Sequence, residues 1–167
     1  MPKPKPTPQA LLRRGLALFN NGTGNLLEAG KILEQAARNN VSEPGEFWYA
    51  LGKCRYALWE ETWDDFIDED GDGIDDRLEE VVGAYRRGLT FPDMVAAPKI
   101  FFATGQAYEN YGSFEGAIQM YSHVISGFPQ YTLLPNVILK AAAMCRHPKI
   151  NKLDQATTYF EYLLDKP

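Results

Sequence analysis

The chain has 167 residues, of which 45% are hydrophobic and 23% charged, with a formal net charge of −5. That length and apolar content are enough for one domain with a real core, and they exclude an intrinsically disordered chain. No apolar run approaches the roughly 18 residues that a membrane-spanning helix needs, the excess of positive charge outside the acidic segment described below is scattered with no basic helix, and no signal-peptide core follows the N-terminus. The expectation is therefore a cytoplasmic protein without membrane insertion and without nucleic-acid binding.

In chain order, residues 1–8, MPKPKPTP, alternate proline with lysine or threonine and read as an extended polyproline-type tail. Residues 9–41 carry Gly15, Ala29, Leu33 and Ala36 at helical spacing and predict a first helical hairpin. A second hairpin, 45–92, is split. Trp48, Leu51 and Gly52 belong to its first helix, and Tyr85, Gly88, Leu89 and Pro92 to its second, with about 17 extra residues between them when set against the next hairpin.

The extra residues are acidic. Residues 60–80 hold 12 of the 22 Asp and Glu side chains and one basic residue, Arg77, so this segment carries −11. The rest of the chain, with 10 acidic and 16 basic residues, carries +6. Within the segment, DEDGDGIDDRLE (68–79) places Asp68, Asp70, Asp72, Asp76 and Glu79 at positions 1, 3, 5, 9 and 12 of a twelve-residue loop, with Gly73 at the sharp turn of position 6. Ile74, at position 7, would offer its backbone carbonyl. These twelve residues resemble an EF-hand-type calcium loop in the form similar to thrombospondin type 3 and related bacterial repeats. The resemblance implies one Ca²⁺ held by Asp68, Asp70, Asp72, Ile74, Asp76 and Glu79. Position 8 is Asp75 where paired EF-hands carry an aliphatic residue, so the pattern points to a solitary site. The alternative is a solvated acidic loop that caps the following helix, because Asp75 and Asp76 also suit a helix N-terminus. Trp59, Trp63 and Phe66 just before the loop predict a short entering helix. Its apolar side either pins the insert to the core or docks a partner when calcium binds.

The third hairpin, 98–131, has Phe101, Gly105, Tyr108, Gly112, Ala117, Tyr121 and Pro129 at a period near 34 residues. Gly105 and Ala117 are small where two helices approach, Phe101 and Tyr121 fill the space between them, and Pro129 ends the second helix. Residues 134–167 form the fourth, with Ala142, Ala156, Phe160, Leu163 and Leu164. For the first and fourth segments, ordinary helical hairpins remain an alternative.

The pattern resembles the tetratricopeptide repeat over nearly the whole chain outside the tail and insert. It implies an all-α fold, a right-handed superhelix of about four hairpins forming a single domain over 9–167. By that resemblance, a concave groove would bind a protein or peptide partner through Tyr49, Lys53, Tyr56, Phe102, Gln106 and Glu109, with Leu12, Leu16, Phe19 and Asn110 also facing it. Packing against a neighbouring repeat is the alternative for each of these side chains. The family's clamp for a C-terminal carboxylate needs lysine, arginine and asparagine at these positions, and only Lys53 is suitable, so chaperone-tail binding is disfavoured. Tyr159, Phe160 and Tyr162 in the last helix predict a face open to self-association or to further chain.

Catalysis finds no support: His123 and His147 stand alone, with no nucleophile motif or zinc spacing. Hydrolysis by the acidic cluster would need a cleft and a raised pKa that nothing in the sequence supplies. The readings carried forward are a non-enzymatic scaffold with one ordering Ca²⁺, and a calcium sensor whose partner binding is switched by the ion. Cys54 and Cys145 read as buried free thiols.

Overall fold

The computed structural model describes residues 6–39, 45–62, 64–71, 75–91 and 97–165. Among them are eight α-helices: α1 (Pro8–Asn20), α2 (Leu26–Ala37), α3 (Gly45–Glu61), α4 (Asp76–Gly88), α5 (Ala97–Asn110), α6 (Phe114–Gly127), α7 (Leu134–Arg146) and α8 (Leu153–Leu164). No strand occurs among the described residues. The chain divides into two compact units, Met1–Met94 with α1 to α4 and Val95–Pro167 with α5 to α8.

In each unit successive helices pair as hairpins, and the pairing is set by one small residue facing one large one. A Cβ added to Gly105 would lie 2.3 Å from Tyr121 Cε1, and one added to Gly52 would lie 2.5 Å from Tyr85 Cε1. At Gly15 the intruding atom is Leu33 Cδ2, at 2.5 Å. Leu33, Tyr85 and Tyr121 are fully buried by these contacts, and Ala29, Val81 and Ala117, four residues earlier on each second helix, are buried beside them. The same register in the fourth hairpin gives Ala142 and Ala156, both buried. Phe101, expected to fill the third hairpin, is half-buried at its edge against His123 and Phe128, while Ile100 takes the buried place.

Local chemistry fixes the ends. Thr7 caps α1 through the Ala10 amide at 3.3 Å, and Pro8 opens the helix where its missing N–H costs nothing. The tight turn between α5 and α6 needs Gly112, whose φ is +79°. Hairpins then stack within each unit. In the first, Phe47, Ala50, Leu51 and Cys54 of α3 join Ile32, Leu33 and Ala36 of α2 in one core. In the second, Glu109 of α5 accepts the Tyr121 hydroxyl of α6 at 2.9 Å and Lys140 of α7 at 2.9 Å. Tyr159 of α8 meets Ser122 of α6 at 2.8 Å.

The split second hairpin is built as α3 and α4, and the 17 additional residues are shared among helices and loop. Nine helical residues follow Gly52 where five follow Gly105, and α4 begins nine residues before Tyr85 where α6 begins seven before Tyr121. The connection itself is 62–75, against 111–113 in the third hairpin. One expectation is thereby corrected. Trp59 lies in the last turns of α3 and not on a separate entering helix, since the helix runs unbroken to Glu61. Helix α4 begins at Asp76 with Asp75 as its cap, the N-terminal role that these two residues suit.

Candidate metal loop and groove-facing residues

Asp75 organises the start of α4. Its carboxylate accepts the Arg77 amide at 3.0 Å, which caps the helix, and takes the Arg77 side chain at 2.9 Å through Nε and 2.6 Å through Nη2. Trp59 Nε1 donates at 3.1 Å to Asp75 Oδ2, the oxygen that also accepts Arg77 Nη2. Although it is 5% exposed, Asp75 is therefore fully partnered, and the Arg77 guanidinium bound to it holds its carboxyl below the usual carboxylate range against the opposing effect of burial. Arg77 also reaches back across the loop, donating to the Thr62 carbonyl at 3.1 Å, to the Thr62 hydroxyl at 2.6 Å and to the Asp65 carbonyl. One guanidinium thus ties the end of α3 to the start of α4. Asp76 N donates to the Ile67 carbonyl at 2.9 Å and draws the loop closed a second time.

Inside this clip, Asp68, Asp70 and Asp76 each bring a carboxylate oxygen within 4.8 Å of the others. Ligand oxygens at the roughly 2.4 Å at which Ca²⁺ takes them can be no more than about 4.8 Å apart, and these three are within that limit. Internal bonds orient two of them: Asp68 Oδ1 accepts the Gly71 amide at 2.7 Å, and Asp76 Oδ2 accepts the Glu69 amide at 3.0 Å. Gly71, at φ +78°, permits the first of these turns. Among the described residues this is the only group of three His, Cys, Asp or Glu side chains so placed. Asp72, Gly73 and Ile74 lie outside the described residues, as does Trp63. Glu79 is exposed on the first turn of α4 and stands outside the trio. Phe66 does not pin the insert: it is 61% exposed, and Ile67 beside it is 40% exposed.

Of the side chains expected to face a groove, Asn110 is exposed, whereas Tyr49, Lys53, Tyr56, Phe102, Gln106 and Glu109 are half-buried. In the first unit, Tyr49 meets Phe19 edge-on at 6.0 Å and Tyr85 at 6.3 Å, Lys53 lies 5.9 Å from the Tyr56 ring, and Tyr56 packs on Trp59 at 5.6 Å. Leu12 belongs to the core. In the second unit, Phe102 packs on Tyr121 at 5.9 Å, Gln106 is half-buried, and Glu109 is held by Tyr121 and Lys140. His123 and His147 stack on Phe101 and Phe114, the latter at 3.9 Å, as packing residues. Burial pushes the Cys54 thiol up to about 12 and raises that of Cys145. No described helix is long and apolar enough to cross a membrane.

No family model and no curated protein matches this sequence. Solved structures do. A crystal structure of MamA superposes with a TM-score of 0.69 at 17% identity, covering 96% of this chain and 78% of that one. A second MamA structure gives 0.67 at 17% identity, with coverages of 93% and 70%. MamA is a tetratricopeptide-like, all-helical protein. The fold is tetratricopeptide-like. The likeness concerns fold, and the loop 62–75 and its aspartates are read from this chain's own residues.

Proposed function

We propose that the chain is a non-enzymatic interaction scaffold of tetratricopeptide type, which binds a protein or peptide partner and takes one Ca²⁺ in its inserted loop. Convergence of Asp68, Asp70 and Asp76 inside a clipped loop is the observation that carries the calcium reading. Bound there, the ion would supply positive charge to a segment of −11, with Asp68, Asp70 and Asp76 as its described ligands and Asp72, Ile74 and Glu79 completing the set. The Thr62–Arg77–Asp75 clip supports an ordering ion over a sensor, because it joins the two helices without using any of the proposed ligands. Partner binding rests on the fold and on the partly exposed Tyr49, Lys53 and Tyr56 along one side of α3.

Calorimetric titration with Ca²⁺ and with Mg²⁺, alongside thermal melts, tests the metal site. One Ca²⁺ site that raises the melting temperature and disappears in Asp68→Ala with Glu79→Ala is the expected result. Absence of binding, or binding that survives both substitutions, refutes it. For the partner, Tyr49→Ala with Tyr56→Ala is expected to abolish co-purification of a bound protein, and retention of that protein refutes this assignment.

A further inference from the structure

A cleft of about 170 Å³ opens between α2 and α3 in the first unit. Leu27 lines it from α2, and Leu51, Cys54 and Leu58 line it from α3. Leu51 and Cys54 are buried while Leu58 is 49% exposed, so the apolar lining runs from the core out to solvent. Gly30 brings the helices together here, its missing Cβ standing 3.0 Å from Cys54 Cβ. Arg55 borders the cleft, but its charge is compensated by Glu34 at 2.6 Å and by the Glu80 carbonyl at 3.0 Å.

Lys31 is different. It lines both this cleft and a more open depression of about 500 Å³ beside it, which Arg38 also lines. Both cations are exposed, and neither has a carboxylate partner among the described residues. An apolar slot thus adjoins a shelf that carries two exposed cations, with Glu34 between them held by Arg55 and no carboxylate paired to Lys31 or Arg38 among the described residues. At about 100° per residue, Leu51, Cys54 and Leu58 lie on the side of α3 opposite to Tyr49, Lys53 and Tyr56.

We propose that this cleft is a second binding site, for a peptide segment that places one large apolar side chain in the slot and an adjacent carboxylate or two on Lys31 and Arg38. The volume sets the anchor, since a cavity of about 150 Å³ lined by aliphatic residues holds a benzene-sized group. Charge sets the rest of the ligand: an acidic flank satisfies the two cations, and a basic flank meets repulsion. The site uses neither the metal loop nor the Tyr49 side of α3, so it stands or falls apart from both.

The test is an amide NMR titration of the full chain with acetylated, amidated tetrapeptides that carry Leu, Met, Phe or Trp followed by two acidic residues, with two-lysine counterparts as the control series. Shifts confined to 27–38 and to Leu51, Cys54, Arg55 and Leu58, with the acidic series binding at least tenfold more tightly than the basic one, are expected. Lys31→Glu with Arg38→Glu, both on exposed positions, is expected to reverse that order without disturbing the remaining amides. The proposal is overturned if no acidic peptide moves these amides at millimolar concentration, if the order survives the charge reversal, or if the shifts map to the Tyr49 side. It is also overturned if the same amides move with protein concentration alone and cease to do so in Phe66→Ser with Ile67→Ser, which assigns the slot to a second copy of this chain.

Discussion

Asp75→Ala is the sharpest test of how the inserted loop is held. The substitution removes the side-chain cap of α4, which costs about 1 kcal/mol. It also strips the Arg77 guanidinium, whose side chain is 20% exposed, of its carboxylate and leaves Trp59 Nε1 without its acceptor. Charge-assisted hydrogen bonds of this kind contribute about 1.5–3 kcal/mol. Together the loss comes to about 3 kcal/mol, or roughly 6–12 °C in melting temperature for a chain of this size. Circular dichroism melts in excess chelator measure it without any contribution from bound metal. Asp75→Asn keeps a capping oxygen but not the charge and is expected to fall between the parent and Asp75→Ala. The folded-state pKa of Asp75 lies below its unfolded value, so its contribution is complete above about pH 4 and disappears as pH falls through the folded-state value. The difference between parent and Asp75→Asn is therefore expected to stay constant from neutral pH to about 4 and to close below it. A melting temperature for Asp75→Ala within 2 °C of the parent (roughly the shift of 1 kcal/mol) would refute the clip as a stabilising element.

Other positions give independent checks. Gly105→Ala puts a Cβ 2.3 Å from Tyr121 and is expected to destabilise by about 1–3 kcal/mol, whereas Gly83→Ala, exposed within α4 with nothing near its Cβ, is expected to stabilise by about 0.5–1 kcal/mol. Chemical denaturation separates the two, and equal effects would contradict the close approach of α5 and α6. Tyr121→Phe removes the hydroxyl that Glu109 accepts and should cost about 1 kcal/mol in the same assay. Both thiols are buried, with Cys54 pushed up to about 12, so reaction with dithionitrobenzoate at pH 8 is expected only upon unfolding; rapid labelling of the native chain would contradict that burial.

The hairpins were legible because their signal is local and repeated. A glycine on one helix and a large side chain on the next, at a fixed separation, announce a close crossing, and Gly105 with Tyr121 does so plainly. Gly52 with Tyr85 carries the same signal across 17 additional residues, which is why the split repeat was readable. Helix ends were less legible. Asp75, Asp76 and Glu79 are all suited to a first turn, and the choice of Asp75 as cap depends on Arg77 and Trp59, which the fold supplies. Arg77 was visible only as the lone positive charge among twelve negative ones. Its contacts with Thr62, fifteen residues earlier, exist only once α3 and α4 have paired.

The cleft between α2 and α3 marks the limit of periodicity as a guide. Leu51, Cys54 and Leu58 recur at i, i+3 and i+7, a spacing that reads as core and leads to burial for the first two. Whether such a stripe is fully covered depends on the partner helix, and α2 presents Gly30 opposite Cys54 with Lys31 one position on. A glycine brings two backbones together at one level and supplies no side chain to fill the space beside it. The same residue that lets the hairpins stack therefore leaves Leu58 partly uncovered next to a cation, and charge reversal at Lys31 and Arg38 distinguishes a working site from a packing remnant.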